Sequence, residues 1–384
     1  MRRIAPLLLV LATTLGLSLA VAPGAGATPP PPSSWGGALG ARNVVFVQTD
    51  NAAGNQVVAY DRAADGTLSA AGTYHTGGLG GVLNGSVVDH LASQGSLAYN
   101  AGQGLLYAVN AGSDTVSVFA VHGDTLALQQ VVGSGGAFPV SVAVHGDLVY
   151  VLNALGGGSI QGFVSAFGHL FPLPRSYRNL GLTIPSDATQ YVNTPGQVAF
   201  SQSGSQLIVT TKANGSDIDV FGVGPFGVPS ASAVVNPESG TVPFAISFDA
   251  ASHLVIANAG SDSLATFSLS ANGTVSLVDA VGTGAAATCW VTPAGGFLYA
   301  SNAGSGTVSR FHSSANGTLT LLGATGTDPG TVDAAATPDG RFLYVQTGGN
   351  GIVDEFQVNG GGALTALGSA TVPGAAGGEG IVAL

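Results

Sequence analysis

The chain has 384 residues, 60 of them Gly and 19 Pro, with 45% hydrophobic and only 8% charged residues. Gly at that share without a Gly-X-Y period excludes a collagen-like chain, and so apolar a composition excludes a disordered one; both point to tight turns between apolar strands. Nine basic residues against 20 acidic ones give a net charge of −11, which repels phosphate backbones and acidic bilayers, so no nucleic acid partner is expected.

Residues 1–27 read as a secretory signal. Arg2 and Arg3 open it, residues 7–22 form an apolar stretch, and Ala25-Gly26-Ala27 supplies a small-residue cleavage site. No other stretch approaches the ~20 unbroken apolar residues of a membrane span, so the expected product is secreted, with no transmembrane segment after cleavage. Loss of Arg2 and Arg3 leaves seven basic residues against 20 acidic, a net charge of −13. The one cysteine, Cys289, permits no internal disulfide and sits in an apolar run, where it reads as a small buried hydrophobe. Residues 28–42 form a Pro-rich leader with four prolines at 29–32, an extended spacer before one folded domain over 43–384.

From residue 44 onward the chain repeats itself. Leu105-Leu106-Tyr107-Ala108-Val109-Asn110-Ala111-Gly112 returns as Phe297-Leu298-Tyr299-Ala300-Ser301-Asn302-Ala303-Gly304, with looser copies around Phe46, Tyr150, Val209, Ile256 and Tyr344. Successive copies lie 43 to 61 residues apart, and the two long intervals mark insertions near 76–95 and 175–193. Within a repeat, an apolar strand precedes the Tyr-bearing one. A Gly-rich turn, an alternating strand and a hairpin dipeptide such as Asp65-Gly66, Asn272-Gly273 or Asn316-Gly317 then lead to a last strand. Four strands in a period near 45 cannot bury both faces alone and must stack around an axis, so the expected fold is all-β, a seven-bladed β-propeller. Blade one lacks a first strand before Val44; residues 380–384 are expected to supply it from the far end of the chain and so close the ring. A monomer is expected.

In such a ring, the starts of the innermost strands and the ends of the second strands open on one face. The strand starts are read as Asp89, Pro139, Gln197, Phe244, Trp290, Asp333 and Glu379, and the second-strand ends as Asp50, Asn110, Asn153, Lys212, Asn258, Asn302 and Gln346. As a candidate ligand-binding set, Gln197, Lys212, Asn110, Asn153, Asn258, Asn302, Asp333 and Glu379 offer donors and acceptors toward the axis for a small polar ligand. The alternative for each Asn is a strand-end turn closed by its own side chain. Arg175, Tyr177 and Arg178 in the second insertion are loop candidates for a lid or docking segment. No His pair has zinc spacing and no cofactor motif is present, so neither metal nor cofactor is assigned.

These repeats, and the run Thr337-Pro338-Asp339-Gly340-Arg341-Phe342-Leu343-Tyr344, resemble the lactonase family of seven-bladed propellers, which includes propeller-type 6-phosphogluconolactonases and carboxymuconate lactonizing enzymes. Tyr107-Ala108-Val109-Asn110 and Tyr299-Ala300-Ser301-Asn302 also resemble the Tyr-Val-Thr-Asn repeats of secreted propellers. The resemblance implies a catalytic Pro-Arg-His at one inner-strand start and an Asn-Glu at the end of the next strand. Over Thr194 to Lys212, Pro195 is retained, but Gly196 and Gln197 stand for the Arg and His, and Thr211 and Lys212 for the Asn and Glu. Ala259 and Ala303 follow second-strand Asn residues where a further Arg is expected. The expected function is therefore ligand or partner binding, the partner being a small molecule or a cell-envelope component, with no confidently assigned catalytic residue. The alternatives are a divergent lactone hydrolase acting on a sugar or dicarboxylate lactone, and a cell-surface adhesion or scaffold protein.

Overall fold

The second strands of the repeats carry side chains too apolar to face water on either side: Val44–Gln48, Leu105–Asn110, Leu254–Asn258 and Phe342–Thr347 are buried along their whole lengths. Burial of both faces requires a sheet on each side. The computed structural model describes residues 43–384 and supplies this arrangement as seven antiparallel sheets, five of them blades of four strands in sequence order and blades one and three variants of that plan. The signal and leader, residues 1–27 and 28–42, lie outside the described residues. Outer strands such as Leu68–His75 and Val275–Gly282 alternate between exposed and half-buried positions, as expected at the rim of a ring.

Blade one is completed from the other end of the chain. Ile381–Ala383 pairs antiparallel with Val44–Gln48, Phe46 opposite Val382, and Asn43 N–H donates to the Leu384 carbonyl at 3.0 Å. Blade three departs from the pattern: its outermost strand is split into His169–Pro172 and Arg178–Asn179, which pair with opposite ends of Ser159–Ala166.

The blades are latched by the repeat's own residues. Tyr344 Oη donates to the Gly66 carbonyl at 2.7 Å, Tyr299 Oη to Gly362 at 2.6 Å and Tyr150 Oη to Gly227 at 2.6 Å, each reaching from a second strand to the outer loop of the next blade. In the blades without Tyr, Thr266 and Asn236 make the equivalent bonds, to the Gly317 and Gly273 carbonyls. The hairpin Gly is required there by space as well as by φ. A Cβ on Gly66, at φ +94°, would stand 2.3 Å from the ring of Phe342.

Candidate functional site

Four inner strands begin in the same irregular way. Phe138, Val242 and Ala287 adopt φ of 61°, 54° and 58°, and Gly330 takes the corresponding place at 81°. One extra residue then bulges out of the ladder between Pro139 and Ser141, Pro243 and Ala245, Thr288 and Trp290, and Thr331 and Ala334. A bulge turns side chains away from the regular alternation. Here it frees Phe244 and Cys289 from pairing beside the axis. A β-branched residue such as Val242 in the left-handed region is strained, and such strain gathers where a fold positions a site.

The channel at the centre of the ring is filled by the first insertion. Gln94 N–H donates to Gly196 O of blade four at 3.2 Å, and the Gln94 amide exchanges two 3.1 Å bonds with the Val291 backbone of blade six. Ser93 Oγ donates to Val140 O of blade three, Trp290 Nε1 donates to Ser93 O at 2.7 Å, and Gly95 N–H meets Glu379 Oε1 at 2.7 Å. A segment bonded to blades one, three, four and six at once crosses the axis. Asp89 therefore lies in this plug, ahead of the inner strand of blade two at Leu97–Asn100, and is not the strand start read from the sequence. On the blade-seven side the plug is admitted by Gly348, where any Cβ would collide with the Val88 carbonyl.

In the plug and against it lie four buried carboxyls and one ammonium. Burial raises Asp50 and Asp333 to about 7 and Asp89 to about 6. Burial, and then the neighbouring Asp333, Asp89 and Asp50, drive Glu379 well above the usual range. Asp333 and Glu379 stand close enough for a side-chain hydrogen bond, which demands a proton on one of them. Lys212 is 1% exposed and its Nζ donates to Ala92 O at 2.6 Å, Tyr191 O at 2.5 Å and Thr194 Oγ1 at 2.9 Å. An ammonium has three protons, so every donor of Lys212 is engaged in holding the plug and the second insertion to blade four. Burial lowers it to about 7. Among the described residues no group of three or more His, Cys, Asp or Glu is placed to hold a metal ion.

A pocket of about 320 Å³ opens between the plug and blades five and six. Val87, Val88, Asp89 and Ala92 of the plug form one wall, Phe244 and Trp290 another, and Tyr191 of the second insertion a third; small residues of blade six and Cys289 complete it. Phe244 and Trp290 meet edge to face, centroids 5.0 Å apart, and Lys212 Nζ stands 5.2 Å from the Phe244 centroid. Asp89 accepts one backbone N–H on each oxygen, from Leu91 and Ser93, both at 2.8 Å. Burial pushes the Cys289 thiol up to about 12, so it packs as a hydrophobe and is no nucleophile at neutral pH.

Of the candidate set, the fold gathers Lys212, Gln197, Asp333 and Glu379 around the plug. Gln197 Oε1 accepts Ile246 N–H, which ties blade four to blade five. Asn110 and Asn302 are turned outward along their blades, onto the hydroxyls of Thr115 and Ser117 and of Thr307 and Ser309. Asn153 donates to Ser159 Oγ, while its Oδ1 and that of Asn258 are buried without a partner. Arg175, Tyr177 and Arg178 lie at the outer edge of blade three. Arg178 donates to the Ser230 and Pro229 carbonyls of blade four, which occupies it structurally. The other end of that insertion reaches the site: Asn84 of the first insertion donates to Ser186 O at 3.0 Å, and Tyr191 enters the pocket. Val87 and Val88 as pocket residues were not read from the sequence, where the long first interval of the repeat was the one signal that pointed to them; Tyr191 was legible only as the end of the second insertion and Ala303 only as the residue after Asn302.

The seven-bladed repeat agrees with one family model. Residues 241–334 match the Lactonase family, described as a 7-bladed beta-propeller. That stretch spans blade five, blade six with its pocket wall, and the opening of blade seven. No curated protein matches the sequence. Among solved structures, a putative 6-phosphogluconolactonase from Bacteroides fragilis NCTC 9343 is similar at 20% identity and a TM-score of 0.70, over 90% of this chain and 99% of that one. A second, from Bacteroides uniformis ATCC 8492, has 21% identity and a TM-score of 0.70 over 87% and 97%. The periplasmic gluconolactonase of Pseudomonas aeruginosa has 18% identity and a TM-score of 0.69 over 88% and 98%. At these identities the likeness is one of fold.

Proposed function

We propose that the chain is an exported lactonase-like propeller that binds a small molecule in the pocket beside the plug, without lactone hydrolysis. The observation that carries this reading is the full engagement of Lys212. Opening a lactone requires donors aimed at the developing oxyanion. The ammonium that stands where the resemblance puts a catalytic residue spends all its protons on protein oxygens, and the Trp290 N–H is likewise committed, to Ser93 O. Gly196 supports the same reading: a Cβ there would lie 2.7 Å from Phe244 O, so no Arg fits that position as the backbone stands.

One observation favours a second reading, a divergent lactone hydrolase. Asp89, raised to about 6 beside an apolar pocket, has the basicity of a group able to activate water. Hydrolysis of a panel of sugar and dicarboxylate lactones by the purified chain separates the two. The expected result is no rate above that of buffer. Turnover that collapses in Asp89→Asn, with the variant folded like its parent, would replace the binding reading with the hydrolytic one. Export is tested by N-terminal sequencing of protein recovered from the medium, which should begin after Ala27.

A further inference from the structure

We propose that the occupant of this pocket is a small aromatic amine bound as its cation, an inference that rests on the binding function argued above. Three features of the site select that chemistry. The walls are apolar and aromatic, with Phe244, Trp290 and Tyr191 on separate elements, and aromatic faces attract an organic cation as well as a ring. Asp89 is the one carboxylate in the lining, and each of its oxygens keeps a lone pair after accepting its single backbone N–H, so it asks for a donor. Behind the lining, the groups that gain charge as pH rises toward and past neutrality are the acidic Asp50 and Asp333, against Lys212 alone, whose protons are already bound.

An anionic ligand would meet the Asp89 carboxylate and no cationic side chain in this lining, and a chain of net charge −11 on approach. The size also fits a compact ligand, since about 320 Å³ lies at the low end of the roughly 300–1,000 Å³ of ligand pockets. Ala303, with Ala259 one of the two residues that follow a second-strand Asn where the resemblance calls for an Arg, has a small side chain that leaves the space open.

The groups facing Asp89 are Lys212, Cys289, Asp50, Asp333 and Glu379, and they predict a pH dependence. As pH rises through about 6 to 7, Asp89 and then Asp50 and Asp333 become anionic while Lys212 loses its charge, and Cys289 stays neutral. Every change in that window favours a cation, so amine affinity should climb with pH while that of a neutral analogue stays flat.

The test is calorimetric titration of the whole chain with three matched probes: 2-phenylethylamine, 2-phenylethanol and 3-phenylpropanoate. Above neutrality the amine should bind about tenfold or more tightly than the alcohol, and the carboxylate should give no heat of binding. Asp89→Asn should bring amine and alcohol close together. Ala303→Arg, at a half-buried strand end, should abolish binding of both. The pH profile of the unmodified chain serves where Asp89→Asn loosens the plug. Alcohol binding that is lost in Ala303→Arg without any preference for the amine overturns the amine inference and leaves the pocket as the binding site. Binding insensitive to Ala303→Arg, or none by any probe, overturns the inference, and a lactone that binds or turns over in its place overturns the non-catalytic reading as well.

Discussion

Single side chains do two kinds of work in this ring. The buried Tyr residues are latches: Tyr344 spends its hydroxyl on the Gly66 carbonyl of the next blade, and the ring beneath it fills the interface. Removing that hydroxyl leaves a buried carbonyl unpaired, at a cost of about 1–3 kcal/mol. Tyr344→Phe should therefore lower the midpoint of thermal unfolding without changing the number of transitions, which differential scanning calorimetry reads directly. An unchanged midpoint would mean that the latch contributes nothing. These Tyr positions, and the Asp65-Gly66 turn that Tyr344 reaches, were legible because the Tyr strands and the hairpin turns recur at the repeat spacing. The left-handed Phe138, Val242 and Ala287 were not, since residues that ordinarily avoid positive φ give no local sign that tertiary packing has forced them there.

At the scale of elements, the plug is the feature that departs most from a bare repeat. Its placement depends on bonds to residues up to about 290 positions away, such as Gly95 to Glu379, and no local pattern in residues 76–95 announces them. That is why the interval was legible only as an insertion and Asp89 only as a strand start. The carboxyls that surround the plug make a prediction about pH. Asp50, Asp89, Asp333 and Glu379 are raised in the fold, so between about 4 and 7 the folded state binds more protons than the unfolded one, and stability falls as pH rises through that window. Lys212 is lowered, so above about 7 the unfolded state holds a proton there that the fold does not, which opposes the raised Glu379 and, from about 9, the raised Cys289 thiol. Unfolding midpoints measured across pH should therefore fall from mildly acidic to neutral conditions and fall less steeply above neutrality. A monotonic rise from acid to neutral pH would contradict the buried, uncompensated state of the cluster.

On the scale of the whole molecule, the ring closes through three residues. Ile381–Ala383 fills the inner position of blade one, and its neighbour Glu379 braces the plug, so the C-terminus serves closure and site together. Deleting residues 380–384 exposes the edge of Val44–Gln48 and should replace one cooperative transition by earlier, broader unfolding. The ring itself was legible from a missing first strand and a spare last one. The pocket was not, because its walls come from two insertions and two bulged strands that meet only once the ring has closed. Plug, buried cluster and pocket all depend on residues 89–96 lying in the axis. The most direct measurement is amide hydrogen exchange at His90, Gln94 and Gly95, whose N–H groups are bonded to Gly377, Gly196 and Glu379. The account predicts protection equal to that of the second strands. Exchange as fast as at the outer hairpin turns would show the channel open and would remove the basis of the site.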